Sequence, residues 1–118
     1  MILFEHKQIY LYSQPIDMRK SINGLSYIVH DLPDQTPQDG SLILFYNRSR
    51  DKVKLLCWDK NGFVMVYKRL EKGKFKITKY DNNKQTVALD DKQLSWLMAG
   101  LDYELMKQNE HLNFSGFY

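Results

Sequence analysis

Cysteine is nearly absent from this 118-residue chain, and the one present, Cys57, sits inside the apolar run Val53-Lys54-Leu55-Leu56-Cys57-Trp58. One thiol makes neither an internal disulfide nor a four-cysteine zinc site, and in that run it reads as a small buried hydrophobe. Long apolar stretches are missing too. Met1-Ile2-Leu3-Phe4 turns charged at Glu5, too short for a signal-peptide core, so a cytoplasmic location with no membrane partner is the default expectation. The glycines at 24, 40, 62, 73, 100 and 116 form neither a phosphate-binding loop nor a dinucleotide fingerprint. The three histidines, His6, His30 and His111, are far apart and lack metal-ligand spacing. No serine stands in a nucleophile elbow; Ser26, Ser41 and Ser49 read as helix-face, strand-start and loop residues. Neither cofactor nor metal is expected.

Carboxylates are the remaining route to catalysis. Two-metal phosphoryl chemistry needs two or three of them converging on one point. Asp51 and Asp59 flank one expected strand at opposite ends, which separates their backbones by about 25 Å at 3.3 Å per residue. Asp59 and Glu71 flank the next strand in the same way. Asp90-Asp91-Lys92 fits a helix start better than an acid-x-lysine site. The expectation is a protein without a catalytic site.

Charge is present in plenty, and it is segregated. Residues 48–84 hold 12 Lys or Arg against 4 Asp or Glu, whereas the rest of the chain holds 5 against 10. A basic middle in an acidic remainder points to a polyanionic partner. Aromatic residues make up 14% of the chain, mostly Tyr and Phe, and Trp58, Tyr46 and Tyr67 are each open to two readings, core anchor or base-stacking platform.

The length suits one domain, drawn over residues 1–102 with a partly ordered tail over 103–118. Ile9-Tyr10-Leu11-Tyr12 reads as a strand stopped by Ser13-Gln14-Pro15. Asp17 can cap a helix whose apolar face is Met18, Ile22, Leu25, Ile28 and Val29. Gly24 inside it suggests a close approach. Residues 31–40, with two prolines, three aspartates and a glycine, read as a loop. Three strands follow, Ser41–Tyr46, Lys52–Trp58 and Phe63–Arg69, joined by the polar loop Asn47–Asp51 and by a hairpin turn at Asn61-Gly62. Lys74–Thr78 is a fourth strand by the same pattern, and Asp81–Lys84 a turn. Asp90 or Asp91 opens a last helix with the stripe Leu94, Leu97, Met98 and Leu101. In the tail, Phe114, Phe117 and Tyr118 are able to dock on the body or on a partner.

The fold expected is therefore α+β: an antiparallel β-meander of four or more strands with two helices packed on one face. The other face would stay exposed and carry the cations. Side chains two apart on a strand share a face, so Lys52 pairs with Lys54 and Lys74 with Lys76.

Three blocks in order carry a resemblance. They are Pro15-Ile16-Asp17-Met18-Arg19-Lys20 with Asn23-Gly24-Leu25; the stretch from Asn47 to Phe63; and Tyr67-Lys68-Arg69-Leu70-Glu71-Lys72-Gly73-Lys74-Phe75. Together they resemble the TnpB family of accessory proteins, encoded by the second reading frame of the bacterial insertion sequences of type sixty-six. This is a different family from the RNA-guided nuclease of the same name. The likeness runs from about Ile9 to Asp102 and includes the final helix. It departs from the family at Lys76-Ile77, where Trp-Pro is usual, and at Tyr103, where Trp is common. The resemblance implies a part in transposition beside a separate catalytic transposase, and it brings no catalytic residues with it. On this reading the partners are DNA, at the ends of the element, and the transposase. The residues expected to contact nucleic acid are Arg19, Lys20, Arg48, Arg50, Lys52, Lys54, Lys68, Arg69 and Lys74. Arg19 and Lys20 would begin the first helix, where cations oppose the helix dipole.

Overall fold

A computed structural model describes residues 8–32, 40–77, 84–102, 105 and 106. Its elements in chain order are β1 (Ile9–Tyr12), α1 (Ile22–His30), β2 (Leu42–Tyr46), β3 (Lys52–Asp59), β4 (Gly62–Arg69), β5 (Thr86–Leu89) and α2 (Asp91–Met98). The strands form one sheet in the order β4-β3-β2-β1-β5. Only β1 and β2 run parallel, with α1 as their crossover; every other neighbouring pair is antiparallel. The α+β class and the mostly antiparallel sheet with two helices are as the sequence indicates.

The helices lie on opposite faces, not on one. Along β2 the side chains alternate: Leu42, Leu44 and Tyr46 pack with Leu94, Leu97 and Met98 of α2, whereas Ile43 and Phe45 pack with Leu25 and Val29 of α1. The physical reason is legible in β2 itself. Leu42–Tyr46 is apolar at every position and buried at every position, and a strand apolar on both sides needs cover on both. Burying a side chain such as Leu25 or Phe45, both fully inaccessible, contributes about 2–3 kcal/mol each.

Lys74–Ile77 is not a strand. Phe75 and Ile77 are buried in the α2-side core, but the segment joins no ladder; its anchor is the Phe75 N–H donating to the Arg50 carbonyl at 2.6 Å. Alternating apolar residues report burial here, not strand pairing. The fifth strand instead comes from Thr86–Leu89, which pairs with β1 from Tyr12↔Thr86 to Ile9↔Leu89.

Two local assignments shift. Helix α1 begins at Ile22 with Ser21 as an N-cap that makes no side-chain capping bond, so Asp17 caps nothing and Arg19 and Lys20 stand in the turn before the helix. Gly24 is approached by the Lys20 stem, whose Cβ lies 3.2 Å from where a Gly24 Cβ would be. In the β3–β4 hairpin the register closes at Asp59↔Gly62, and the positive φ falls on Lys60, at 53°, rather than on Asn61-Gly62. At α2, by contrast, Asp90 forms a reciprocal capping box with Gln93.

His6, His111, residues 33–39 of the loop, Thr78, the turn at 81–83, and the tail apart from Leu105 and Met106, including Tyr103, Phe114, Phe117 and Tyr118, lie outside the described residues. No helix among the described residues is long and apolar enough to cross a membrane.

Candidate nucleic-acid interface

With a helix over each face, the cations do not form an open sheet face. They gather at one end of the sheet. Because β1 runs parallel to β2, the chain leaving β1 emerges at the same end as the chain leaving β2, and antiparallel pairing brings the start of β3 and the finish of β4 there as well. Main-chain bonds stitch these stretches together. The Ile16 N–H donates to Tyr46, the Leu70 N–H to Asp51 and the Phe75 N–H to Arg50, at 2.8, 2.8 and 2.6 Å. The Tyr46 hydroxyl donates to the Ser13 carbonyl at 2.9 Å. One end thus collects Arg19 and Lys20 from the first turn, Arg48, Arg50 and Lys52 from the first hairpin, and Arg69, Lys72 and Lys74 from the segment after β4. The opposite end carries the Asp59–Gly62 turn and the Asp90 cap.

The hairpin loop is built by Asn47. Its side-chain oxygen accepts the N–H groups of Asp51 and Lys52 at 3.1 and 3.0 Å, and its amide donates to the Asp51 carboxylate at 2.7 Å. That amide, with help from Lys52, holds the Asp51 carboxyl below its ordinary pKa. The loop closes with Arg50 at φ 60°, a left-handed conformation that disfavours any residue but Gly, Asn or Asp. Arg48 is exposed in the same loop.

Among the described residues, each acid at this end has a cation of its own. The Arg19 guanidinium bonds the Asp17 carboxylate through Nε and Nη2, at 2.6 Å for the shortest contact. Asp51 pairs with Lys52 at 3.3 Å, and Glu71 with Arg69 at 3.0 Å; the Glu71 carboxylate raises the Arg69 pKa. Among the described residues, Lys20, Arg48, Arg50, Lys72 and Lys74 make no ion pair.

Two of the expected contact residues have structural tasks. Lys54 is 7% exposed. Its ammonium donates to the carbonyls of Met18 and Lys20 at 2.7 and 2.8 Å and lies 5.4 Å from the Tyr67 ring centre. Lys68 is exposed, yet its ammonium reaches across the other face to the Met98 carbonyl at 2.6 Å, a last-turn acceptor of α2. Lys52 and Lys54 do share a face, as their spacing requires, but that face is covered by the turn before α1.

Lys72 and Lys76 join the exposed cations although sequence reasoning did not include them in the site. Lys72 had a signal, its place in the turn Glu71-Lys72-Gly73. Among the aromatics, Tyr46 is core and Trp58 meets Phe63 edge-on at 5.0 Å between ring centres. Tyr67 is 49% exposed and, of the three aromatics weighed from the sequence, the one at the surface.

Asp51 and Asp59 stand at opposite ends of β3; Asp51 and Glu71 share the basic end, each already paired. Among the described residues no three His, Cys, Asp or Glu side chains gather as a metal site would require.

Fold and site together define a small α+β protein whose cations are concentrated at one end of a two-sided sheet. The family model described as IS66 Orf2 like protein matches residues 7–108, and the chain belongs to that family, the accessory proteins of transposition in this type of insertion sequence. It is similar to two uncharacterized proteins of Sinorhizobium fredii (strain NBRC 101917 / NGR234). One, y4jC, is 29% identical over 86% of this chain and 85% of its own length. The other, y4hO, is 27% identical over 84% of each. No solved structure matches.

Proposed function

We propose that the chain is a non-catalytic accessory factor that holds DNA, at the ends of the insertion sequence, by its phosphate backbone. The basic end of the sheet is the contact surface, working beside the catalytic transposase. The observation that carries this reading is the gathering of cations from three separated stretches at one end, with every acid there, among the described residues, already matched. Lys20, Arg48, Arg50, Lys72 and Lys74 supply the unmatched charge. Arg19, Lys52 and Arg69 flank them in ion pairs that phosphate oxygens are able to displace, since exposed pairs are worth little. Lys54 and Lys68 act behind this surface by fixing the elements that carry it.

Backbone contacts make affinity fall with salt, with a log–log slope of about −0.9 for each phosphate neutralised. Four to six contacts give a slope of roughly −4 to −5. Replacing Arg48 and Arg50 together by Ala is expected to weaken all duplex sequences alike and to flatten the slope by about two units. Titrations of element-end and random duplexes at several salt concentrations measure both quantities. No binding at low salt, or a slope unchanged by the double substitution, would transfer the basic end to the competing role, docking an acidic surface of the transposase. Magnesium- or manganese-dependent nicking that vanishes in Asp59→Ala would overturn the non-catalytic reading.

A further inference from the structure

The two edges of the sheet are unlike. β5, at one edge, has four residues; β4, at the other, has eight, and no strand among the described residues pairs with its outer side. Edge strands usually carry a device that blocks further pairing: shortness, a proline, a bulge or a charge. β5 is short. β4 has no proline, its register with β3 is unbroken from Lys52↔Arg69 to Asp59↔Gly62, and no charged residue occurs from Gly62 to Tyr67.

The phase of its free hydrogen-bonding groups follows from one contact. The Leu70 N–H donates inward to Asp51, and in an antiparallel pair inward and outward residues alternate. Phe63, Met65, Tyr67 and Arg69 therefore turn their N–H and C=O groups to the open side. The side chains have a symmetry of their own. Phe63-Val64-Met65-Val66-Tyr67 reads aromatic, Val, Met, Val, aromatic from either end.

We propose that β4 is the interface for a second copy of this chain, added antiparallel so that the two sheets become one about a two-fold axis at Met65. An isologous contact requires a self-complementary strip, and this strip is one. Phe63 falls opposite Tyr67 of the other copy, Val64 opposite Val66, and Met65 opposite its own equivalent, pairs of the kind that stabilise sheets. Charge selects the direction. Parallel addition would set Lys68 and Arg69 against the same two cations, whereas antiparallel addition sets them opposite the uncharged Gly62 and Asn61. Arg69, at the end of β4, is shared with the basic end, but the test is made at Met65 and needs no DNA.

Sedimentation equilibrium of the full chain across a wide concentration range is expected to show a monomer–dimer equilibrium. Met65→Pro removes an outward N–H and none of the bonds to β3, a substitution edge strands tolerate; it should leave a folded monomer whose melting temperature no longer depends on protein concentration. Should that variant unfold, cysteine substitutions decide. Met65→Cys should cross-link to itself on mild oxidation, because a hydrogen-bonded pair places the two Cα atoms about 5.5 Å apart. Val66→Cys should not, its nearest equivalent being a diagonal neighbour at about 7–8 Å. The native thiol, Cys57, is buried and gives no background. A monomer at every concentration, a dimer indifferent to Met65→Pro, or equal cross-linking at 65 and 66 would overturn the proposal.

Discussion

The ammonium of Lys54, on β3, lies 2.8 Å from the carbonyl oxygen of Lys20, so a buried cation clamps the turn before α1 onto the sheet. A second bond to Met18 at 2.7 Å completes the clamp. Hydrogen bonds to a charged group are worth more than neutral ones.

Lys54→Met keeps the length of the side chain and removes its donors. It is expected to destabilise the fold by about 2–3 kcal/mol, because two part-buried acceptors lose a charged partner. Lys68→Met, which breaks a single bond from an exposed position, should cost about 1 kcal/mol. Urea unfolding of the two variants beside the natural chain measures the contrast. Equal losses would show that Lys54 is no clamp.

Arg50 occupies a left-handed backbone position, φ 60°. Gly would take that conformation without strain, so Arg50→Gly should raise stability by about 1 kcal/mol while weakening DNA binding. Arg48→Ala should weaken binding with stability unchanged within about 0.5 kcal/mol. Thermal melts and duplex titrations of the same samples read both effects. A gain in stability with no loss of affinity would remove Arg50 from the contact surface.

The Asp17 carboxyl is held at about 2, down from 3.8, chiefly by hydrogen bonds from the Arg19 side chain and then by the Arg19 N–H. A carboxyl whose folded value is depressed stabilises the fold fully above its unfolded value, and the effect fades as pH falls through the folded one. Asp17→Asn should therefore melt below the natural chain at neutral pH, with the gap closing between about 4 and 2. The pair is exposed, so the gap will be small. A gap independent of pH would mean that the carboxylate charge contributes nothing.

Much of this architecture was readable in advance, and the failures have definite causes. β2, β3 and β4 and both helices announce themselves by apolar periodicity and by the polar loops between them. The opposite placement of the helices was also encoded, in the unbroken apolar run Leu42–Tyr46, but expecting a one-sided meander overrode it. Phe75 and Ile77 mimic a strand because a core-facing strap has the same spacing as a ladder. β5 is no shorter than β1, which the sequence does show, but Thr86–Leu89 lacks the aromatic alternation of Ile9–Tyr12, and its pairing with β1 is a tertiary contact. The basic site was legible as a set of charges but not as a place. Sequence gives no hint that the carbonyls of Met18 and Lys20 claim Lys54, or that the Met98 carbonyl claims Lys68; those are meetings of distant segments.

The pairing of β1 with β5, from Tyr12↔Thr86 to Ile9↔Leu89, also fixes the order in which the molecule can be completed. During synthesis β2, β3 and β4 find each other through short loops as they emerge, and β1 can join β2 across α1. The far side of β1 then waits, unpaired, for the next-to-last element, and the α2 stripe that seals one face arrives later still. Closing so long a loop is slow compared with forming a hairpin. A chain broken off before Thr86 would carry two open strand edges and an uncovered apolar face, the combination that drives aggregation. In a gene that suffers truncation, damage near the end would therefore be felt through the whole sheet, back to its first strand.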